Sequence, residues 1–104
     1  MSRTVIDLDF TFEAEIWEYQ GKGSWHFVTL PVEMSDDIKV FTKHLARGFR
    51  SVRVKVTIGE SVWLTSLFPS KEAGAYVLPI KAAVRKAEGL AKGDVTTIKI
   101  SVAT

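Results

Sequence analysis

The chain is 104 residues long and 46% hydrophobic, with 6 Phe, 3 Trp and 2 Tyr and a formal net charge of +2. One domain's length of chain with that apolar share can bury a core, which excludes a disordered segment, and so small a charge excess argues for no nucleic-acid or membrane partner. Cys is absent, which excludes disulfides and thiolate metal sites.

Across residues 6–16 the pattern alternates: Ile6, Leu8, Phe10, Phe12, Ala14 and Ile16 on one face, Asp7, Asp9, Thr11, Glu13 and Glu15 on the other. This predicts a long antiparallel-type strand with one wet face. Gln20-Gly21-Lys22-Gly23 is a turn signal, and residues 24–30 read as the returning strand of a hairpin, ended by Pro31. A helix is then expected with Ser35 as N-cap and Asp36 and Asp37 in its first turn, where the helix dipole favours carboxylates. Ile38, Phe41 and Leu45 would be its buried stripe, Lys43, His44 and Arg47 its end, and Gly48 its stop. Val52, Val54, Val56 and Ile58 alternate with polar residues, and Gly59-Glu60 is a two-residue hairpin turn. The following strand, residues 61–68, is apolar at Val62, Leu64 and Phe68 but also at Trp63 and Leu67, so a helix is expected to cover one side of it. Residues 69–74 read as a polar, mobile loop.

Residues 75–78 form a short apolar strand. Pro79 suits the first position of a second helix, because its missing N–H costs nothing there. Ile80, Ala83, Val84 and Ala87 would be the apolar stripe of this helix, Lys81 and Arg85 would lie on the opposite face, and Gly89 would stop it with Leu90 folded back. After the turn Lys92-Gly93-Asp94, Ile98, Ile100 and Val102 alternate with Thr97, Lys99 and Ser101 in a last half-buried strand. Phe10, Phe12, Val54, Val56, Leu78, Val84, Ile98 and Ile100 are the expected core.

A weak internal repeat runs through this order. Val28-Thr29-Leu30-Pro31 precedes a helix, Gly48 and Val54-Lys55-Val56; Tyr76-Val77-Leu78-Pro79 precedes a helix, Gly93 and Ile98-Lys99-Ile100. A strand-Leu-Pro-helix-Gly-strand unit used twice predicts an all-β architecture: a compact six- or seven-stranded barrel with pseudo-two-fold symmetry and two short helices. The layout resembles the AbrB-like swapped-hairpin barrels, which use such a unit once per chain and close as dimers; DNA binding does not follow from layout. With both units in one chain of one domain, residues 1–104, a monomer is expected.

The succession FTFEAEIW, WHFVTLP, VRVKVTI, SLFP and GAYVLPIKAAVRKAEGLAKGD resembles the bacterial family Domain of Unknown Function nineteen-oh-five along nearly the whole chain. Its most specific part is the signature from Tyr76-Val77-Leu78-Pro79-Ile80-Lys81 through Val84-Arg85-Lys86 to Gly89 and Gly93-Asp94. The resemblance implies a compact β-barrel with short helices. Some relatives carry a second domain linked to bacteriocin protection, for which this sequence has no counterpart. After Asp94 the family pattern has a further hydrophilic residue, where this sequence has Val95. The family carries no assigned activity, so the resemblance implies a fold and no reaction.

No catalytic, metal-binding or cofactor-binding pattern stands out. His26 and His44 fall on different elements without spaced partners, and a metal needs three or four convergent ligands. Asp7/Asp9 and Glu13/Glu15 stand roughly 7 Å apart at the pleat repeat, a spacing open to paired acid–base chemistry; a solvated face, or cross-strand partners for Arg53 and Lys55, is the plainer account. Ser66 lacks nucleophile-elbow glycines, and Gly21, Gly23, Gly59 and Gly74 are scattered turn residues, not a phosphate loop. Cations cluster at Arg47, Arg50, Arg53 and Lys55, and again at Lys81, Arg85 and Lys86. Trp25, Phe27, Trp63 and Tyr76 could supply stacking surfaces, or simply core.

The sequence therefore points to a non-enzymatic binding or accessory module for a small anionic ligand or a protein partner. A weak nucleic-acid-binding barrel is the alternative, and an enzyme comes third. The ligand site is expected at the start of the second helix, where the N–H groups of Ile80, Lys81 and Ala82 would lack intrahelical acceptors. Lys81 and Arg85 would supply positive charge there, with Ser66 and Tyr76 as hydroxyl neighbours. No signal-peptide pattern and no run of membrane-span length occur, which with the absence of Cys leads to the expectation of a cytoplasmic protein with no membrane partner.

Overall fold

Alternating side chains give each strand one side to bury. The computed structural model describes residues 8–21, 23–43 and 51–102. Its strands are β1 (Leu8–Glu15), β2 (Trp17–Glu18), β3 (His26–Thr29), β4 (Val52–Ile58), β5 (Ser61–Ser70), β6 (Ala75–Pro79) and β7 (Val95–Val102), with helices α1 (Val32–Thr42) and α2 (Ala82–Glu88). All pairings are antiparallel, in the order β1-β7-β4-β5-β6-β3-β2, and the sheet curls into a half-barrel. Its two edge strands are consecutive in the chain. Between them Ile16, fully buried, donates its N–H to the Asp94 carbonyl (2.9 Å) and accepts from the Gly93 N–H (2.8 Å). The Lys92-Gly93-Asp94 turn thus holds the bend that takes the chain from one edge to the other.

The expected core is buried, apart from Phe10, which is half-buried against it. Phe12, Val54, Val56, Leu78, Ile98 and Ile100 line the inner face together with Val28, Leu30, Ile58 and Leu67, and Val84 and Ile38 pack on from the helices. The fates of Ile6, Asp7, His44, Leu45, Arg47, Gly48 and Arg50 lie outside the described residues.

The strand register carries the repeat further than the sequence does. Val28 pairs with Leu78, and the counterpart of that pair, Tyr76 and Leu30, is joined by the Leu30 N–H to Tyr76 carbonyl bond. Thr29↔Val77 and Val56↔Ile100 are each their own counterparts, so a local two-fold axis passes through both pairs. The first strands obey it as well. Phe10↔Ile100 on β1 corresponds to Trp63↔Val56 on β5, and Trp17↔Phe27 on β2 corresponds to Ser70↔Ala75 at the far end of β5. Each half is therefore a bent strand, a short strand, a helix and a long strand.

Several local expectations are corrected. Helix α1 begins at Val32 after Pro31, and Ser35 is not its cap: Ser35 is buried, and its Oγ accepts the Tyr76 N–H (3.0 Å), tying α1 to β6. Pro79 closes β6, pairing with Phe27, and α2 starts at Ala82 behind Lys81. Ala83 and Ala87 are consequently exposed, and Val84 carries the buried contact of α2. Gly89 is left-handed at the helix end, with Leu90 returning to the core. Strand β5 runs through Pro69 to Ser70, leaving a four-residue turn stitched by Gly74 N–H to the Ser70 carbonyl and Ala73 N–H to Ser70 Oγ. Helix α2 covers the inner side of β5, where Ser61 Oγ donates to Glu88 (2.6 Å). It does not cover the outer side: Val62 (58%), Leu64 (67%) and Phe68 (45%) are exposed there. Gly59, in the β4–β5 turn, takes a left-handed φ of 57° that suits glycine, and a Cβ there would push the Glu88 carboxylate aside.

Candidate functional site

The second Leu-Pro corner builds a groove. After Pro79 the chain passes through Ile80 and Lys81 into α2. These residues, with Ala82 and Arg85, line a cavity of about 390 Å³ completed by Trp63, Leu64 and Thr65 of β5 and by Ser24, Trp25 and His26 ahead of β3. Its frame is made of backbone bonds. The Ile80 N–H donates to the His26 carbonyl (2.9 Å), which locks the corner to β3. The Ile80 carbonyl accepts from Arg85 Nε (3.1 Å), which orients the half-buried guanidinium; among the described residues its terminal nitrogens make no hydrogen bond. Lys81 is exposed at the mouth. His26 Nδ1 lies 2.7 Å from the Ser24 carbonyl; a carbonyl only accepts, so Nδ1 carries the proton and Nε2 is the nitrogen left over.

An aromatic ladder supports the Trp25 side. Trp17 is held by its Nε1–H bond to Thr29 Oγ1 (2.9 Å). Phe27 stacks on Trp17 with centroids 5.1 Å apart, and Trp25 stacks on Phe27 at 6.4 Å and 16°. The ladder ends in solvent, with Trp25 60% exposed. Gly23 makes room for the indole: a Cβ there would stand 3.1 Å from Cδ1 and 3.3 Å from Nε1.

Of the four residues expected at the site, the groove brings together Lys81 and Arg85. It does not include Ser66 or Tyr76. Ser66 sits on the outer face of β5, where Arg53 reaches its Oγ at 3.4 Å; the groove ends at Thr65 along this strand. Tyr76 is buried against α1, where burial pushes its phenol above the ordinary value and the Thr42 hydroxyl pulls it part of the way back. The free helix start is also corrected, since the Ile80 N–H is already bonded and α2 has only seven residues. Trp25 and Trp63 were legible only as stacking candidates. His26 and Ser24 were not legible as groove residues, because their place depends on β3 meeting the β6 corner, where His26 bonds Ile80. The available signal was an aromatic beside a turn glycine, Gly23-Ser24-Trp25.

The carboxylates take a different position. Asp9, Glu13 and Glu15 are exposed on the outer face of β1, whose partner is β7, so that strand separates them from Arg53 and Lys55 on β4. Glu13 and Glu15, with Ala14, Trp17, Thr29 and Pro31, line a shallower hollow of about 540 Å³ at the first Leu-Pro corner. Among the described residues the one ion pair is Lys92–Glu18 at 3.8 Å, no three His, Asp or Glu side chains gather as a metal site would, and no helix is long and apolar enough to cross a membrane.

Residues 12–100 match the family model described as Domain of unknown function (DUF1905). The chain belongs to that family. The match spans both Leu-Pro corners and ends inside β7, so the groove and its acidic counterpart both lie within the DUF1905 domain. A comparison with curated proteins finds no match.

Proposed function

We propose that this DUF1905 domain is a non-enzymatic binding module and that the groove at the Pro79 corner takes a small anionic ligand. The observation that carries the reading is the pairing of Lys81 with an Arg85 guanidinium already oriented by the Ile80 carbonyl. A preoriented guanidinium loses little freedom when it grips a carboxylate or phosphate with two parallel bonds. The cavity volume suits a small molecule. Among the described residues lining the groove, His26 bonds the Ser24 carbonyl and not a hydroxyl, so the two are not arranged as a nucleophile and its base. The protein works in the cytoplasm on this reading, in keeping with its lack of Cys. It works as a monomer, because each strand of one half finds its partner in the same chain; light scattering should return the 11.6 kDa monomer mass, and a dimer mass at micromolar concentration contradicts this.

The test is equilibrium binding of pyrophosphate at low salt. Saturable binding in the millimolar range or tighter, weakened about tenfold or more in Lys81→Ala/Arg85→Ala, supports the reading; that loss corresponds to one or two charge-assisted bonds. Equal binding by wild type and variant, or none by either, overturns it.

A further inference from the structure

The cations occupy only one side of the groove, and the rest is aromatic. Trp25 is the outermost rung of a three-ring stack whose innermost member is pinned by Thr29, so an exposed indole is held at a fixed tilt beside Lys81 and Arg85. An exposed Trp costs solvation, and nothing in the fold requires this one: Trp17 and Phe27 fill the space beneath it. What a rigid, half-free indole next to two cations recognises is a flat π-face joined to an anion.

We infer that the ligand is a nucleotide: a heteroaromatic ring stacked on Trp25, with its phosphate held by Lys81 and Arg85. This rests on the anion-binding reading and adds the ring to it. A groove of about 390 Å³ has room for one ring and one phosphate. His26 and Thr65 line the same groove and are able to bond ring or sugar edges. The shared chemistry, base plus phosphate, has two sources, a free mononucleotide and a nucleotide within a single strand.

The experiment compares adenosine 5′-monophosphate, ribose 5-phosphate, adenosine and a hexameric oligodeoxyadenylate, following the Trp25 indole N–H signal, assigned with Trp25→Phe, and the Arg85 Nε–H signal. Adenosine 5′-monophosphate should bind about tenfold or more tightly than ribose 5-phosphate, the advantage of one stacked base, and more tightly than adenosine. Trp25→Ala should remove that advantage, so that adenosine 5′-monophosphate and ribose 5-phosphate bind the variant about equally; Trp25→Phe, which keeps a ring, should retain most of it. Two results sustain the proposal and separate the sources: a hexamer no tighter than the mononucleotide marks the free nucleotide, and a hexamer much tighter with a steep salt dependence marks the strand. If ribose 5-phosphate binds as well as adenosine 5′-monophosphate, or Trp25→Ala changes neither, the ring inference falls and anion binding stands. If no phosphate-bearing ligand binds, both fall.

Discussion

The two halves of the half-barrel share a backbone plan and differ in what they show to solvent. On the inner face several counterparts are similar in kind, Phe10 with Trp63, Ala14 with Leu67, Val54 with Ile98 and Val56 with Ile100, while Leu8 with Ser61 and Phe12 with Thr65 differ where the second half meets α2 and the groove. On the outer face of the bent strands they are opposites. Asp9, Thr11, Glu13 and Glu15 in the first half stand where Val62, Leu64, Ser66 and Phe68 stand in the second. The Leu-Pro corners diverge in the same way. Counting on from the paired prolines, Glu33 and Asp37 fall where Lys81 and Arg85 fall in the second half. Burial constrains inner positions to apolar residues of suitable volume, whereas outer positions and corners are free to specialise. The first half specialised towards negative charge at its corner and the second towards positive charge at its own, where Trp63 of the second half and Trp25 of the first add aromatic walls.

Core substitutions give the largest expected break in the comparison. Phe12 is buried and its counterpart Thr65 is half-buried in the groove. Phe12→Ala should cost about 3–5 kcal/mol in denaturant melts, while Thr65→Ala should stay within about 1 kcal/mol. Comparable losses at both would mean that the halves share one burial pattern and that the groove wall is core. Next comes the tie between α1 and β6. Ser35 Oγ satisfies the buried Tyr76 N–H, so Ser35→Ala should cost about 1–3 kcal/mol by orphaning that donor. Its counterpart Ala83 is exposed and bonds nothing across the sheet; Ala83→Ser should change stability by no more than about 0.5 kcal/mol.

The smallest effect is the pH dependence of Tyr76. Burial raises its phenol above the ordinary value. A raised folded value means that the stabilisation is fully present below the unfolded phenol's pKa, about 10, and is lost as pH rises through the folded value. Wild-type stability should therefore fall more steeply above pH 10 than that of Tyr76→Phe. Parallel alkaline slopes would show that the phenol is not buried as described.

Much of this architecture was legible in the residues, for physical reasons. Strict alternation announced β1, β4 and β7, and the Leu-Pro-helix unit announced the repeat. The first member of that repeat was not legible, because matching β1 to β5 requires ignoring outer residues of opposite character. The two-sided apolar pattern of β5 announced a covering helix, and α2 covers its inner side; it did not announce that Val62, Leu64 and Phe68 on the outer side carry the hydrophobicity of buried residues without the burial. Helix starts slipped in both directions. Pro31 stands directly before its helix, whereas Pro79 remains in β6 because the Ile80 N–H is taken by His26. Lys81 and Arg85 were legible as a pair from their spacing. Their aromatic surroundings were not, because Trp25 reaches them only once β3 and β6 are side by side.

The central claim is that the second corner binds an anion and the first does not. A nitrogen-15 NMR titration with pyrophosphate reads both corners in one experiment. The account predicts saturable shifts at Lys81, Ala82 and the Arg85 side chain, with the counterparts Glu33, Met34 and Asp37 unmoved. Shifts of equal size at both corners, or none at the second at millimolar concentration, would contradict it.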